Sequence, residues 1–435
     1  MGGTIEPTTE PPIVVAGHPS FLDSIDWGTK LASNTVKVYF AGNGEVFDGK
    51  TSVGWNAYEQ QQAMLGFEQF SNVADLHFIV THDASEADLK LVNKAQANFL
   101  GYFNPPGTNG AGVGVFNQGG TAWDEDQPGT GGLEQGGYGF ITFIHEFGHA
   151  LGLAHPHDGG GTSTKWEGVS SSSDMGTFDL NQGIYTTMTY IDGWKTIPGP
   201  NNTDDNHGWQ GTLMGFDVAV LQQKYGANAS FANGDSGYAV PDANVSGTFW
   251  ACLWDTGGTD QISYDGDRRS VIDLRAAHLG YAEGSGGYVS YAKGVYGGYT
   301  IANGVVIENA SGGSRRDVIT GNGAANGLHG GDGADRLTGG GGADVFVYTA
   351  LSESGAAKGT WDQITDFAAG DLIDLSHLGF VWTNHAHFDG TEGALRWKAT
   401  AAGVVVRGDH DGNGMADFKL LLADVTDLSA GDFLL

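Results

Sequence analysis

A single cysteine, Cys252, stands in the 435 residues. No intrachain disulfide can form, and a disulfide-stapled secreted scaffold is excluded. Basic residues are scarce as well. Lys and Arg number 20 against 51 Asp and Glu, a net charge of −31. A chain so short of cations lacks the basic face that nucleic acid or an anionic membrane surface requires. No apolar run approaches the roughly 18 residues of a membrane-spanning helix. The opening MGGTIEPTTEPPIVVAGHP has neither a basic n-region nor an apolar h-region, so no Sec signal peptide is expected. Proline is down to 11 residues, and the abundant glycine shows no Gly-X-Y period, which removes collagen.

What is present is glycine, 73 residues where an average protein has about 7%. Charged residues are only 16% and hydrophobic residues 40%, so the chain is no acidic disordered polymer and can bury a core. Its length suggests two domains at about 100–200 residues each. The excess acid is mostly Asp set among Gly, a composition that points to bound cations rather than to solubilising charge.

Residues 1–20 are rich in Pro and Thr and read as a flexible lead or propeptide. TVKVYF (35–40), DLHFIV (75–80) and DLKLV (88–92) read as strands, and apolar spacing predicts helices over 54–70, 138–151 and 214–225. After Gly226 helical periodicity disappears, and short strands alternate with Gly, Asp and Asn turns. The expected division is a mixed domain over 21–225 and an all-β domain over 226–435.

HEFGHALGLAH (145–155) carries the most information. His145 and His149, at i and i+4, project from one helix face. Gly152 lets the chain leave the helix with positive φ and return His155 as a third ligand. Three neutral imidazoles leave a zinc position open for water, the catalytic arrangement. Glu146, beside the first ligand, is placed to take a proton from that water.

The extended motif looks like that of a metzincin, and the chain from about residue 30 to 435 resembles the serralysin family of secreted bacterial metalloproteases. TTMTY (186–190) resembles the family's Met-turn. The resemblance implies that Met188 forms an apolar floor under the zinc. It also implies that Tyr190 ligates zinc at rest and swings away to hydrogen-bond the reaction intermediate. Ile-Asp-Gly-Trp follows Tyr190 where family members often carry other residues, which leaves the local pocket shape open. GFDVAVLQQKYGAN (215–228) resembles the helix that closes the family's protease domain. The Gly- and Ser-rich spans 121–137 and 156–183 flank the motif without a matching pattern.

The second half holds a nine-residue repeat, GGDGADRLT (330–338) and GGGGADVFV (339–347), with degenerate units at 312–320 and 321–329. Position eight reads Ile319, Leu328, Leu337 and Phe346, and position six reads Asp317, Asn326, Asp335 and Asp344. Turn carbonyls and carboxylates suit calcium, and the pattern matches the family's RTX β-roll. Gly312, Gly330, Gly331, Gly333, Gly339, Gly340 and Gly342 are the turn glycines of the expected calcium loops. In the family's roll, loops 18 residues apart stack. Position 312 then lies on 330 and 321 on 339, the first pair bringing two carboxylates together and the second only one. WDTGGTD (254–260) resembles a further calcium loop at Asp255, Gly257 and Asp260, and ITDFAAGDLIDLS (364–376) places Asp366 and Asp371 near the last ions. DHDGNGMADF (409–418) imitates an EF-hand front but lacks the Glu at position twelve, and reads as a hairpin turn.

These readings converge on an α+β metzincin-like protease domain followed by an all-β parallel β-roll or β-sandwich domain. The implied protein is a secreted zinc endopeptidase of broad specificity, with one catalytic zinc and several structural calcium ions, and a monomer is expected. Its implied partners are protein or peptide substrates and the type I secretion machinery, addressed by the terminal Asp432-Phe433-Leu434-Leu435; a proteinaceous inhibitor is a further candidate. The alternative is a calcium-dependent surface or matrix-binding protein with an inactive protease-like domain, which the complete His145, Glu146, His149, His155 set opposes.

Overall fold

The computed structural model describes residues 20–357, 359–383 and 387–435; of the lead expected at 1–20, only Ser20 falls within them. The first half opens on a five-stranded sheet of β1 (Thr35–Phe40), β2 (His77–Val80), β3 (Leu89–Lys94), β4 (Gly101–Phe103) and β5 (Val113–Asn117), in the order β2-β1-β3-β5-β4. All its pairs are parallel except β4 with β5. In β1 the alternation of TVKVYF buries Val36 and Val38 and turns the residues between them outward. β4 is the antiparallel edge strand, and it runs beside the helix that carries the zinc motif.

That sheet packs on α1 (Ala57–Val73) and α2 (Tyr138–Ala150). α1 begins three residues later than its spacing predicts. Gly54 has φ +90°, and Asn56 caps the helix by accepting from Glu59 N at 2.8 Å while Glu59 Oε2 accepts from Asn56 N at 2.7 Å. Glu59 is fully buried, and its other oxygen takes the indole N–H of Trp123 at 2.8 Å. The two helices meet through the stacked rings of Phe67 and Phe147, whose centroids are 3.7 Å apart. α3 (Gly215–Tyr225) closes this half, and Tyr225 donates its hydroxyl to the carbonyl of Leu151 at 3.0 Å, just past the end of α2.

From Gly237 onward the chain winds into two ladders of short strands. One pairs Gly237–Ala239, Gln261–Ser263, Asn309–Ser311, Gly327–His329, Val345–Val347, Leu372–Asp374 and Phe433–Leu434, all parallel. The other pairs Ser270–Asp273, Val318–Thr320, Arg336–Thr338, Asp362–Ile364 and Phe418–Ala423, also parallel. The three-residue strands of the repeat point only their middle side chain inward, and Asp362–Ile364 contributes its last residue, Ile364. Two columns result, Ile262, Ala310, Leu328, Phe346, Ile373 and Phe433 in one, and Ile272, Ile319, Leu337, Ile364 and Leu422 in the other, all buried. The position-eight residues of the nonapeptides are the middle of this double stack. Antiparallel strands at Ala394–Thr400, Gly403–Asp409 and Phe418–Ala423 extend the second ladder. One buried apolar cluster runs from Phe21 through both halves to Phe433.

Candidate metal centre and active site

α2 places His145, Glu146 and His149 on its inner face. At Gly152 the backbone turns with φ +92°, and an added Cβ would stand 2.0 Å from the carbonyl oxygen of Thr29. Only glycine makes that exit, and it brings His155 back over the helix. His155 Nε2 then lies 3.1 Å from His145 Nε2 and 2.9 Å from His149 Nε2. Every Nδ1 is already engaged, with the carbonyl of Thr187 at 2.8 Å, the carbonyl of Leu153 at 3.0 Å and Asp158 Oδ2 at 2.7 Å respectively. Because a neutral imidazole carries one N–H, those partners hold the proton on Nδ1 and leave three Nε2 lone pairs facing one another. Burial, then repulsion from the neighbouring rings, disfavours the imidazolium forms of His145 and His149; His145 is pushed down to about 3 and His149 well below its ordinary value. Three neutral, inward-facing imidazoles with fixed tautomers are the donor set that zinc takes.

Met188, Tyr190 and Glu146 lie around this cluster. Met188 is fully buried with its sulfur against Gly148, where a Cβ would sit 2.6 Å from Sδ, so the thioether lies under the zinc helix. The ring of Tyr190 is half-exposed, 4.7 Å from that of His155 and 5.8 Å from that of His145 between centroids. Glu146 Oε2 is buried and accepts no hydrogen bond among the described residues. Burial raises the Glu146 carboxyl to about 8 against a backbone bond from Phe103 that lowers it; a dication in the same site would pull it down again. Glu146 opens onto a pocket of about 290 Å³ walled by β4, α2 and the segment after Met188.

Two supporting carboxylates escaped the sequence reading. Asp158 orients His155; burial opposes its ionisation, but the His155 bond wins and its carboxyl is held below the usual range. Asp217, on α3 and fully buried, accepts from the hydroxyl of Thr186 at 2.6 Å, the amide of Thr187 at 2.7 Å and the amide of Met214 at 3.0 Å. It ties the Met188 turn to α3, and burial raises its carboxyl to about 6. An acidic residue three places after a ligand histidine is a readable signal for Asp158. Nothing local announces Asp217.

In the second half, the nonapeptide loops do stack 18 residues apart, with Val318 against Arg336 and Gly327 against Val345. Asp317 N donates to Asp335 Oδ1 at 2.8 Å, and Asn326 N to Asp344 Oδ1 at 2.8 Å. The next turn is 27 residues on, where Asp335 N reaches Asp362 Oδ1 at 2.7 Å and Asp344 N reaches Asp371 Oδ1 at 3.0 Å. Asp362 lies after the glycine-rich repeat pattern has lapsed, beyond 348–361, which is why the pattern missed it. Asp335 Oδ2 and Asp362 Oδ2 are both buried with no partner among the described residues. Burial, then the Asp362 charge, pushes Asp335 up to about 9, and burial takes Asp362 to about 7. Asp317, by contrast, already accepts two amides, from Ser270 at 2.6 Å and Gly313 at 2.8 Å. Asp366 receives the amides of Gly339 and Gly340 at 2.8 Å.

Asp255 and Asp260 also come together, joined by Glu308, whose Oε2 accepts from Asp260 N at 2.8 Å. Asp260 Oδ2 is buried and unpaired among the described residues, and burial raises its carboxyl to about 6. Asp255 Oδ1 takes the amide of Gly257 at 3.0 Å. The 409–418 segment is the hairpin turn expected, but it also gathers oxygens of Asp409, Asp411 and Asp417 within 4.8 Å of one another. Asp409 Oδ1 is buried there without a partner among the described residues.

A helix presenting two histidines and a glutamate, a third histidine returned by a glycine turn, and a buried methionine beneath define a three-histidine metallopeptidase. Comparison with known proteins agrees. The family model described as Peptidase M10 serralysin C terminal matches residues 224–435. Metallopeptidase AprA of Pseudomonas marginalis is 32% identical over 84% of this chain and 77% of its own length. Serralysin of Photorhabdus luminescens is 32% identical over 74% of this chain and 66% of its own. Serralysin of Proteus mirabilis is 31% identical over 76% and 71%. The chain belongs to the serralysin family of metallopeptidases.

Removing the negative charge at Asp158 leaves the His155 tautomer less firmly held. Asp158→Asn should weaken zinc binding by about 10–100-fold, measured by competition with a chromophoric chelator; an unchanged affinity would show that Asp158 does not orient the ligand.

Proposed function

We propose that this chain is a secreted zinc endopeptidase in which Glu146 is the general base, and that its second half, from about residue 226, is a calcium-bound RTX roll. The carrying observation is the unpaired Oε2 of Glu146 beside three converging imidazole lone pairs, at the mouth of a pocket. Zinc held by His145, His149 and His155 supplies a Lewis acid that activates water and polarises a peptide carbonyl. Glu146 takes the proton of the attacking water and returns it to the departing amine. Tyr190, half-exposed and free to turn, donates its hydroxyl to the oxyanion that develops. The outer edge of β4 has no strand beyond it in the sheet, and an extended substrate can add there, bound through backbone atoms with broad specificity. Protein and peptide substrates follow from this arrangement.

Calcium fits where buried carboxylate oxygens lack partners, at Asp335 with Asp362, at Asp260 with Glu308, and at Asp409 with Asp411 and Asp417, together with the Asp344–Asp371 edge. The richest pairing is therefore one turn beyond the Asp317–Asp335 pair. Among the described residues no helix is long and apolar enough to cross a membrane. Export by a type I route fits the terminal Asp432-Phe433-Leu434-Leu435, of which Phe433–Leu434 forms the last strand of a ladder.

Hydrolysis of casein, abolished by a zinc chelator and restored by zinc, is the direct test. Glu146→Ala should retain zinc and lose activity by about 10²–10⁴-fold; more than about a tenth of wild-type turnover with zinc bound would remove Glu146 as the base. Tyr190→Phe should lower kcat by about 10-fold or more with little change in KM, and an unaltered kcat would reduce Tyr190 to packing. Calcium binds only the folded roll and stabilises it by mass action. A calcium-selective chelator should therefore remove β signal from the circular dichroism spectrum, and calcium should restore it; identical spectra in both conditions would count against the roll sites.

A further inference from the structure

The pocket beside Glu146 is apolar along its walls, where Leu100 and Ile141 lie, and carries the carboxylate of Asp192 in its lining. Asp192 Oδ2 accepts the hydroxyl of Tyr138 at 3.0 Å, and Tyr138, on the first turn of α2, lines the same pocket. A carboxylate offers about four acceptor positions, so one hydroxyl leaves most of its capacity open. Among the described residues no Lys or Arg lines the pocket; burial raises the Asp192 carboxyl, and the Tyr138 bond and the charge of Lys195, whose exposed side chain is not part of the lining, lower it only in part, so a cation in the pocket is what stabilises the charged form. Asp205 adds a second negative charge near Tyr138.

We propose that Asp192 makes this pocket a specificity subsite for a cationic side chain, Lys or Arg, on the residue next to the scissile bond; the inference rests on the peptidase reading above. Lysine and arginine match both parts of the lining. Their methylene stems lie along Leu100 and Ile141 while the charged head reaches the carboxylate. The resulting charge-assisted bond is roughly twice as strong as a neutral one. An apolar side chain of similar length would fill the walls but exclude water from Asp192 without compensating its charge. An acidic side chain would be repelled. The net charge of −31 acts in the same direction at long range, drawing cationic segments toward the cleft. Asp192 belongs to the Ile-Asp-Gly-Trp segment after Tyr190, so the preference is a property of this chain's own wall.

The test is a cleavage profile of the full chain, loaded with zinc and calcium, on peptides that vary only at the two positions flanking the scissile bond. At one of them Lys and Arg should exceed Leu by about 10-fold or more in kcat/KM. In Asp192→Asn, which keeps the shape and the Tyr138 bond, that ratio should fall to about one. Asp192→Glu should keep part of it. Binding of the same peptides to Glu146→Ala should show the same order without turnover. A wild-type profile with no preference for Lys or Arg at either position, or a ratio unmoved by Asp192→Asn with melting temperature and zinc content intact, overturns the subsite. A wild-type chain that cleaves none of the peptides overturns the peptidase reading, and the subsite with it.

Discussion

His155 Nε2 lies within 3.1 Å of the Nε2 atoms of both His145 and His149, while each Nδ1 is already committed to an oxygen. Three lone pairs so placed repel, and no N–H remains to bridge them. The same conflict recurs in the second half, where Asp335 and Asp362 bring unpaired, buried carboxylate oxygens together across neighbouring turns. Both halves bury acceptors that no Lys or Arg pairs among the described residues, and a cation fits such positions. Metal affinity and folding are consequently linked.

The difference between the halves lies in rigidity. α2 is packed on α1 by aromatic rings and is pinned beyond its end by Tyr225, so the zinc ligands stand on a scaffold with its own core. The ladders of the second half are three-residue strands that each contribute one inward side chain. Such strands bury little apolar area per residue, and their glycine-rich turns are costly to order. Under the proposed reading, cations at the turns would offset that deficit, in keeping with the unpaired carboxylates found there.

Catalytic geometry depends on groups that never meet a substrate. Asp217 holds the Met188 turn through Thr186 and Thr187, and the carbonyl of Thr187 in turn fixes the His145 tautomer. A buried carboxylate on α3 is thereby connected, through one residue, to a zinc ligand. Asp158 does the same for His155 directly. Glu146 keeps one oxygen, Oε2, free of such ties among the described residues, as the proposed general base requires.

How much of this was legible follows from the range of each interaction. His145, His149, Gly152 and His155 lie within eleven consecutive residues, and helical spacing plus one glycine exit dictates their convergence. The apolar column through Ile319, Leu328, Leu337 and Phe346 was equally readable, since a strict nine-residue period repeats one local geometry. Asp217 acts on Thr187 across 30 residues and Glu308 on Asp260 across 48. Asp362 lies 27 residues beyond Asp335 after the repeat has lapsed. Asp192 finds Tyr138 across 54. Periodicity carries no information over such separations. The sequence by itself determined the histidine cluster, the position of Glu146 beside it and the repeat, because these are short-range geometry; the tertiary structure alone decided which distant carboxylates orient the candidate metal site, join the loops of the ladders and line the pocket, because packing, not spacing, brings them together.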